Sequence, residues 1–103
     1  MQCTDMATKS TLFELMGKAH TIAILHEFAV EPEPWRFNEL KDRLNISPNT
    51  LSERLSELVD AELVARHPYN EIPPRVEYEA TPKARELESV FEDFHDWMLR
   101  HEH

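Results

Sequence analysis

The chain has 103 residues, 41% of them hydrophobic and 30% charged, with twenty acids against eleven bases for a formal net charge of −9. These values describe one globular domain, too short to hold a second. With one cysteine and one glycine, it has no intramolecular disulfide, no multi-cysteine zinc site and no glycine-rich phosphate loop.

Glutamate dominates the acids (fifteen, against five aspartates) and arginine the bases (seven, against four lysines). Such an acidic, lysine-poor composition is common in high-salt cytoplasm and points to a halophilic archaeal source. No apolar run approaches the roughly 20 residues of a membrane-spanning helix, and the N-terminus lacks a signal-peptide core. A cytoplasmic location and no membrane contact are therefore expected. Cys3 reads as a free thiol near the terminus.

Residues 9 to 30 carry Leu12, Leu15, Met16, Ala19, Ile22, Ala23, Leu25 and Phe28 at helical spacing, with Gly17 marking a break between two helices. Glu31-Pro32-Glu33-Pro34 cannot continue a helix, because proline lacks an N–H and restricts its predecessor. A third helix is expected from Asn38, which suits an N-cap, with Leu40 and Leu44 on one side and Asn45 ending it in the left-handed conformation. Ser47 caps and Pro48 starts a fourth helix running to about Ala61.

Along that fourth helix Leu51, Leu55 and Leu58 fall within about 60° of one another, which makes theirs the buried face. Asn49, Glu53 and Ser56 lie opposite, flanked by Thr50, Ser52 and Glu57, with Arg54 nearer the core edge. Leu63 to His67 and Arg75 to Ala80 alternate as strands, joined by the proline-rich loop 68–74 into a hairpin. Thr81 and Pro82 then start a last helix to about residue 101. Its stripe of Leu87, Val90, Phe91, Phe94, Trp97 and Met98 is wider than one chain can cover, so a twin copy is the expected cover.

The expected fold is thus mainly α with a small β-hairpin, a winged helix-turn-helix in one domain over residues 1–103. The helix-turn-helix occupies about 38–61 and the wing about 63–80, with helices at about 9–17 and 82–101 left for dimerisation. Here the chain resembles the HxlR-type winged-helix transcription regulators, relatives of the MarR group, from about Leu12 to Leu87. The residues carrying the resemblance are Gly17-Lys18, Arg36-Phe37-Asn38-Glu39-Leu40, Ile46-Ser47-Pro48-Asn49-Thr50-Leu51-Ser52-Glu53-Arg54-Leu55, and Pro73-Pro74-Arg75-Val76-Glu77-Tyr78 leading into Thr81-Pro82. The resemblance implies a homodimer, paired through N- and C-terminal helices that include Leu12, binding a pseudo-palindromic operator. Against the family pattern, Cys3 lies several residues upstream of the usual cysteine, Ala19-His20 replaces a tryptophan, Ala84 replaces a glycine, and residues 30–35 form a longer loop.

Cations meeting phosphates supply affinity for DNA, while base edges in the major groove carry sequence. Asn49 suits adenine, Thr50 and Ser52 suit bases or phosphates, and Glu53 can accept from cytosine N4. Arg75, Arg66 and Arg54 are the leading phosphate candidates, supported by Lys41, Arg36 and Arg43. The N–H groups at the Ser47 helix start suit a phosphate as well. Arg54 has a competing use in an ion bridge with Glu57 or Asp60.

The six histidines are scattered, and His101 and His103 do not share a helix face, so no metal and no other cofactor is expected. No spacing suggests a catalytic constellation, and an enzyme is not expected. The sequence does not specify a small-molecule inducer. The acidic residues on the fourth helix keep a second possibility open, a winged helix that binds a protein instead of double-stranded DNA. Charge is divided unevenly: −3 over residues 1–35, −1 over 36–85, and −5 over 86–103.

Overall fold

The computed structural model describes residues 12–102. Residues 12–16 are helical (α1), followed by α2 (Thr21–Val30), β1 (Trp35–Arg36), α3 (Phe37–Leu44), α4 (Pro48–Asp60), β2 (Val64–Tyr69), β3 (Arg75–Ala80), α5 (Pro82–Arg85) and α6 (Leu87–His101). The strands form one antiparallel sheet in the order β1-β3-β2. Residues 9–11 of the expected first helix, and Cys3, lie outside the described residues.

Four boundaries differ from the sequence expectation. The sheet has a third strand, β1, whose Trp35 pairs with Tyr78 and whose Arg36 pairs with Glu77. Trp35 is buried, and its indole Nε1 donates to the Glu31 carbonyl at 3.0 Å. This bond anchors the proline segment that would otherwise float as a loop. Helix α3 starts one residue early: Arg36 precedes it in extended conformation, and its N–H donates to Glu39 Oε1 at 2.9 Å. Asn38 is therefore inside the first turn and not its cap.

Strand β2 runs through Pro68 to Tyr69, with Pro68 opposite Val76. An edge strand tolerates a proline because its outward N–H side needs no partner. The last helix is divided at Glu86, which keeps helical angles (φ −68, ψ −15) between the short α5 and the longer α6.

Two turns work without glycine. Asn45 ends α3 in the left-handed region (φ 55, ψ 51), with Ile46 N–H donating to Lys41 O at 3.2 Å. Glu62 ends α4 in the same region (φ 63). There Leu63 N–H donates to Leu58 O at 2.9 Å and Glu62 N–H to Val59 O at 3.0 Å. This pair of bonds is the Schellman arrangement, which usually holds a glycine. Thr81 Oγ1 donates to Glu62 O at 2.7 Å and Lys83 Nζ to Ala61 O at 2.8 Å, so the start of α5 clamps the turn.

The core is built from Ile24, Leu25 and Phe28 of α2, Leu40 of α3, Leu51, Leu55 and Leu58 of α4, and Leu63, Val64, Ala80 and Ala84 at the sheet end. It fixes the orientation of α4, whose three leucines are essentially fully buried.

Candidate nucleic-acid interface

The turn before α4 follows from local chemistry. Ser47 Oγ accepts from Thr50 N–H at 3.3 Å and lies 2.9 Å from Thr50 Oγ1, while Pro48 occupies the first helical position. The leucine face points inward, so Asn49, Ser52, Glu53 and Ser56 are exposed, and Thr50, held by Ser47, is half-buried.

Arg54 has a different setting from the other arginines. Its Nε donates to Ala19 O at 2.9 Å, and its Nη1 lies 3.2 Å from both Glu53 Oε1 and Glu57 Oε1. Its side chain is only 14% exposed. Glu57 also accepts from the Lys18 ammonium. That hydrogen bond, reinforced by the nearby Lys18 and Arg54 charges against a smaller opposing effect of burial, holds the Glu57 carboxyl below the usual range. Two residues of the α1–α2 turn, Lys18 and Ala19, are thus bound to α4. Neither was singled out as a site residue, and contacts across 39 and 35 residues leave no periodic trace.

The remaining cations fall into groups. Arg66 is exposed, makes no ion pair among the described residues, and pairs in register with Tyr78. It lines a cleft with Ser52, Ser56 and Asp60, between α4 and β2. Arg36, likewise exposed and free of ion pairs among the described residues, lines a second cleft with Asn38, Pro73, Pro74 and Arg75. Arg75 is braced within the wing: its guanidinium lies 4.2 Å from the Tyr69 ring centroid and 3.1 Å from Glu71 Oε2. Lys41 is 3.4 Å from Asp42. Arg43 sits apart, 3.3 Å from Glu27 and over the Trp35 ring at 5.9 Å, in the α2–α3 contact.

On α6, Val90, Phe94 and Trp97 are exposed, Leu87, Phe91 and Met98 are half-buried, and Leu12 of α1 is half-buried. His26 meets Phe91 edge-on at 5.8 Å. No group of three or more potential metal ligands converges among the described residues, and no helix among them is long and apolar enough to cross a membrane.

A model of the HxlR-like helix-turn-helix matches residues 15–103. An HTH-type transcriptional regulator of Halalkalibacterium halodurans is 37% identical over 89 residues, 85% of this chain and 78% of that protein. The HTH-type transcriptional regulator YodB of Bacillus subtilis is 36% identical over 86 residues, 82% of this chain and 75% of YodB. The solved reduced form of YodB superposes with a TM-score of 0.77 at 34% identity, covering 95% of this chain and 92% of that one. The structure of the HTH-type regulator YtcD does so with 0.81 at 28% identity, covering 98% and 97%. These sequence relatives are bacterial and give the halophilic archaeal source no support; the acidic composition therefore does not identify a lineage. They are regulators of transcription and not enzymes. The chain belongs to the HxlR-like helix-turn-helix family of DNA-binding transcriptional regulators.

Proposed function

We propose that the protein acts as a homodimer on a pseudo-palindromic operator, each copy laying α4 in the major groove with the wing along the flanking backbone. The observation that carries this is the exposed face of α4: Asn49, Ser52, Glu53 and Ser56 project from a helix whose leucines all face inward. A cleft holding Arg66 borders that helix, and a second cleft, between the start of α3 and the wing, holds Arg36; neither arginine has an ion pair among the described residues. In this view Arg66 and Arg36 meet phosphates. Arg75 stiffens the wing and contributes as a secondary contact, with Lys41 at the margin. Arg54 orients α4, since a guanidinium already satisfied by one carbonyl and two carboxylates has little to offer a phosphate. Ser47 N-caps α4, where free N–H groups favour a phosphate oxygen, and Thr50 and Ser52 extend that contact. A cytoplasmic location goes with this role.

Charge is compatible with it. Residues 36–85 carry eight bases and nine acids, so the acid excess lies mainly outside the DNA-facing unit. Glu57, on the outer part of α4, is already paired with Lys18 and Arg54.

The test is an electrophoretic shift with DNA from upstream of the protein's own gene, run across a salt series. Arg66→Ala should weaken binding to all sequences and lower the salt slope by about one phosphate contact. Asn49→Ala should cost about 1–3 kcal/mol on the operator and little on random DNA. Equal weakening on both DNAs would remove Asn49 from groove recognition. An intact protein that shifts no DNA at any salt would favour binding to a protein partner.

A further inference from the structure

A cavity of about 170 Å³ lies where the end of α2, the proline segment, the end of β3, α5 and the start of α6 meet. Leu25 and Phe28 of α2, with Pro32, Ala80 and Ala84, give it apolar walls, and the charged groups in its lining are Arg85 and Glu88. An apolar cavity of about 150 Å³ holds a benzene molecule, so there is room here for a branched aliphatic or single-ring side chain. A few polar groups beside an apolar recess are the usual make-up of a small-molecule site.

Arg85 and Glu88 are three positions apart, and Glu86 between them keeps helical angles (φ −68, ψ −15). Side chains at that spacing are neighbours, so a base and an acid stand side by side at the cavity. The two are not bridged to each other. Arg85 makes only long contacts, Nε to the Ala80 carbonyl at 3.5 Å and Nη2 to Glu79 Oε2 at 3.5 Å, against about 2.9 Å for a well-formed bond. Glu79 has a second partner, its Oε1 lying 3.2 Å from His67 Nε2, so it is not stranded when Arg85 turns away. Glu88 is exposed and has no ion pair among the described residues.

The lining thus offers one base, one acid and an apolar recess within reach of both. An apolar carboxylate would satisfy Arg85 but set its charge against Glu88, and an apolar amine would meet the reverse conflict. A molecule carrying a carboxylate, an ammonium and an apolar chain on one carbon satisfies all three. We propose that this cavity binds a free α-amino acid with a branched aliphatic or single-ring side chain, its carboxylate on Arg85, its ammonium on Glu88, and its side chain against Leu25, Phe28 and Ala84. Because the walls belong to α2, β3, α5 and α6, the bound amino acid fixes the direction in which α6 leaves the core. No α4 residue lines the cavity, so binding is read without DNA.

Isothermal titration calorimetry of the full chain with L-leucine, L-isoleucine and L-phenylalanine tests it. At least one of them should bind saturably, with a Kd of about 1 mM or tighter. Glycine, and the N-acetyl and amide forms of the tightest binder, should each bind about tenfold or more weakly, since each lacks the apolar chain or one charged hydrogen bond. Arg85→Gln and Glu88→Gln stand at exposed positions, where circular dichroism should find the fold intact, and each should weaken binding by a similar factor. Glu88→Gln should in addition no longer discriminate against the N-acetyl form. In NMR titrations the methyl signals of Leu25 and Ala84 should shift, while those of Leu12 and Leu15, which line a separate cleft, should not. The site is overturned by any of four results: no saturable binding by the three amino acids, an N-acetyl or amide form as tight as the free amino acid, unchanged affinity in either variant, or methyl shifts that spare Leu25 and Ala84.

Discussion

Helices α4 and α6 have similar lengths, thirteen and fifteen residues, and both carry apolar residues at i, i+3, i+4 and i+7 spacing. On α4 the stripe is closed: Leu51 and Leu58 are 0% exposed and Leu55 2%. On α6 the same kind of stripe leaves Trp97 51% exposed and Val90 54%. Periodicity identifies the face a helix would bury, but not what covers it. For α4 the cover is the core shared with the rest of the same chain; among the described residues, α6 joins that core through Leu87 and Phe91. One helix is held rigidly so that its polar face can be presented, while the other keeps an apolar face available.

That contrast can be broken by truncation. Leu58→Ala should destabilise the fold by about 3 kcal/mol, since it opens a cavity in a closed core. Phe94→Ala should leave the fold of a dilute, monomeric sample within about 1 kcal/mol while lowering its association. Chemical denaturation at two protein concentrations separates the effects, and equal losses from the two variants would erase the distinction between the helices. Removing the α4 cap with Ser47→Ala should cost about 1 kcal/mol by the same measurement, with no cost expected if another acceptor takes the Thr50 N–H.

Glu62→Gly should raise stability by roughly 0.5–1 kcal/mol, because the left-handed angle there strains any residue with a Cβ. A loss instead would mean that the glutamate side chain contributes more than the backbone relief. The smallest effect concerns acid. The Glu57 carboxyl is held below its ordinary range, so its contribution is complete above that range and disappears as pH falls through its lowered pKa in the folded protein. Glu57→Gln should therefore be less stable than wild type at neutral pH, with the gap narrowing in acid; a constant gap would mean that Lys18 and Arg54 do not act through charge.

How much was legible depended on how local the cause was. The Ser47-Pro48 start, the Asn45 ending and the inward leucines of α4 depend on neighbours within about one turn, and their sequence signals match the fold. The hairpin was legible from alternation over six residues. Strand β1 was not, because two residues carry no period and Trp35 becomes a strand residue only through Tyr78, more than forty positions away. Among the proposed DNA contacts, sequence alone nominated the arginines and offered Arg54 a competing bridge to Glu57, which the structure contains, but the Ala19 carbonyl that also engages Arg54 and the cleft that holds Arg66 left no local signal.

The attachments of Lys18 and Ala19 to α4 have a mechanical consequence. A helix pinned at one point can still roll about its own axis, sweeping its outer side chains through an arc. Here the pins are Arg54 and Glu57, nearly one turn apart, and both lead back to adjacent residues of a single turn. Two pins on one side add to the resistance that the buried leucines already offer to the roll. The azimuth at which Asn49 and Ser52 face outward is therefore set partly by the turn between the first two helices, and in the proposed DNA complex cutting both pins should relax sequence discrimination before it loosens the fold.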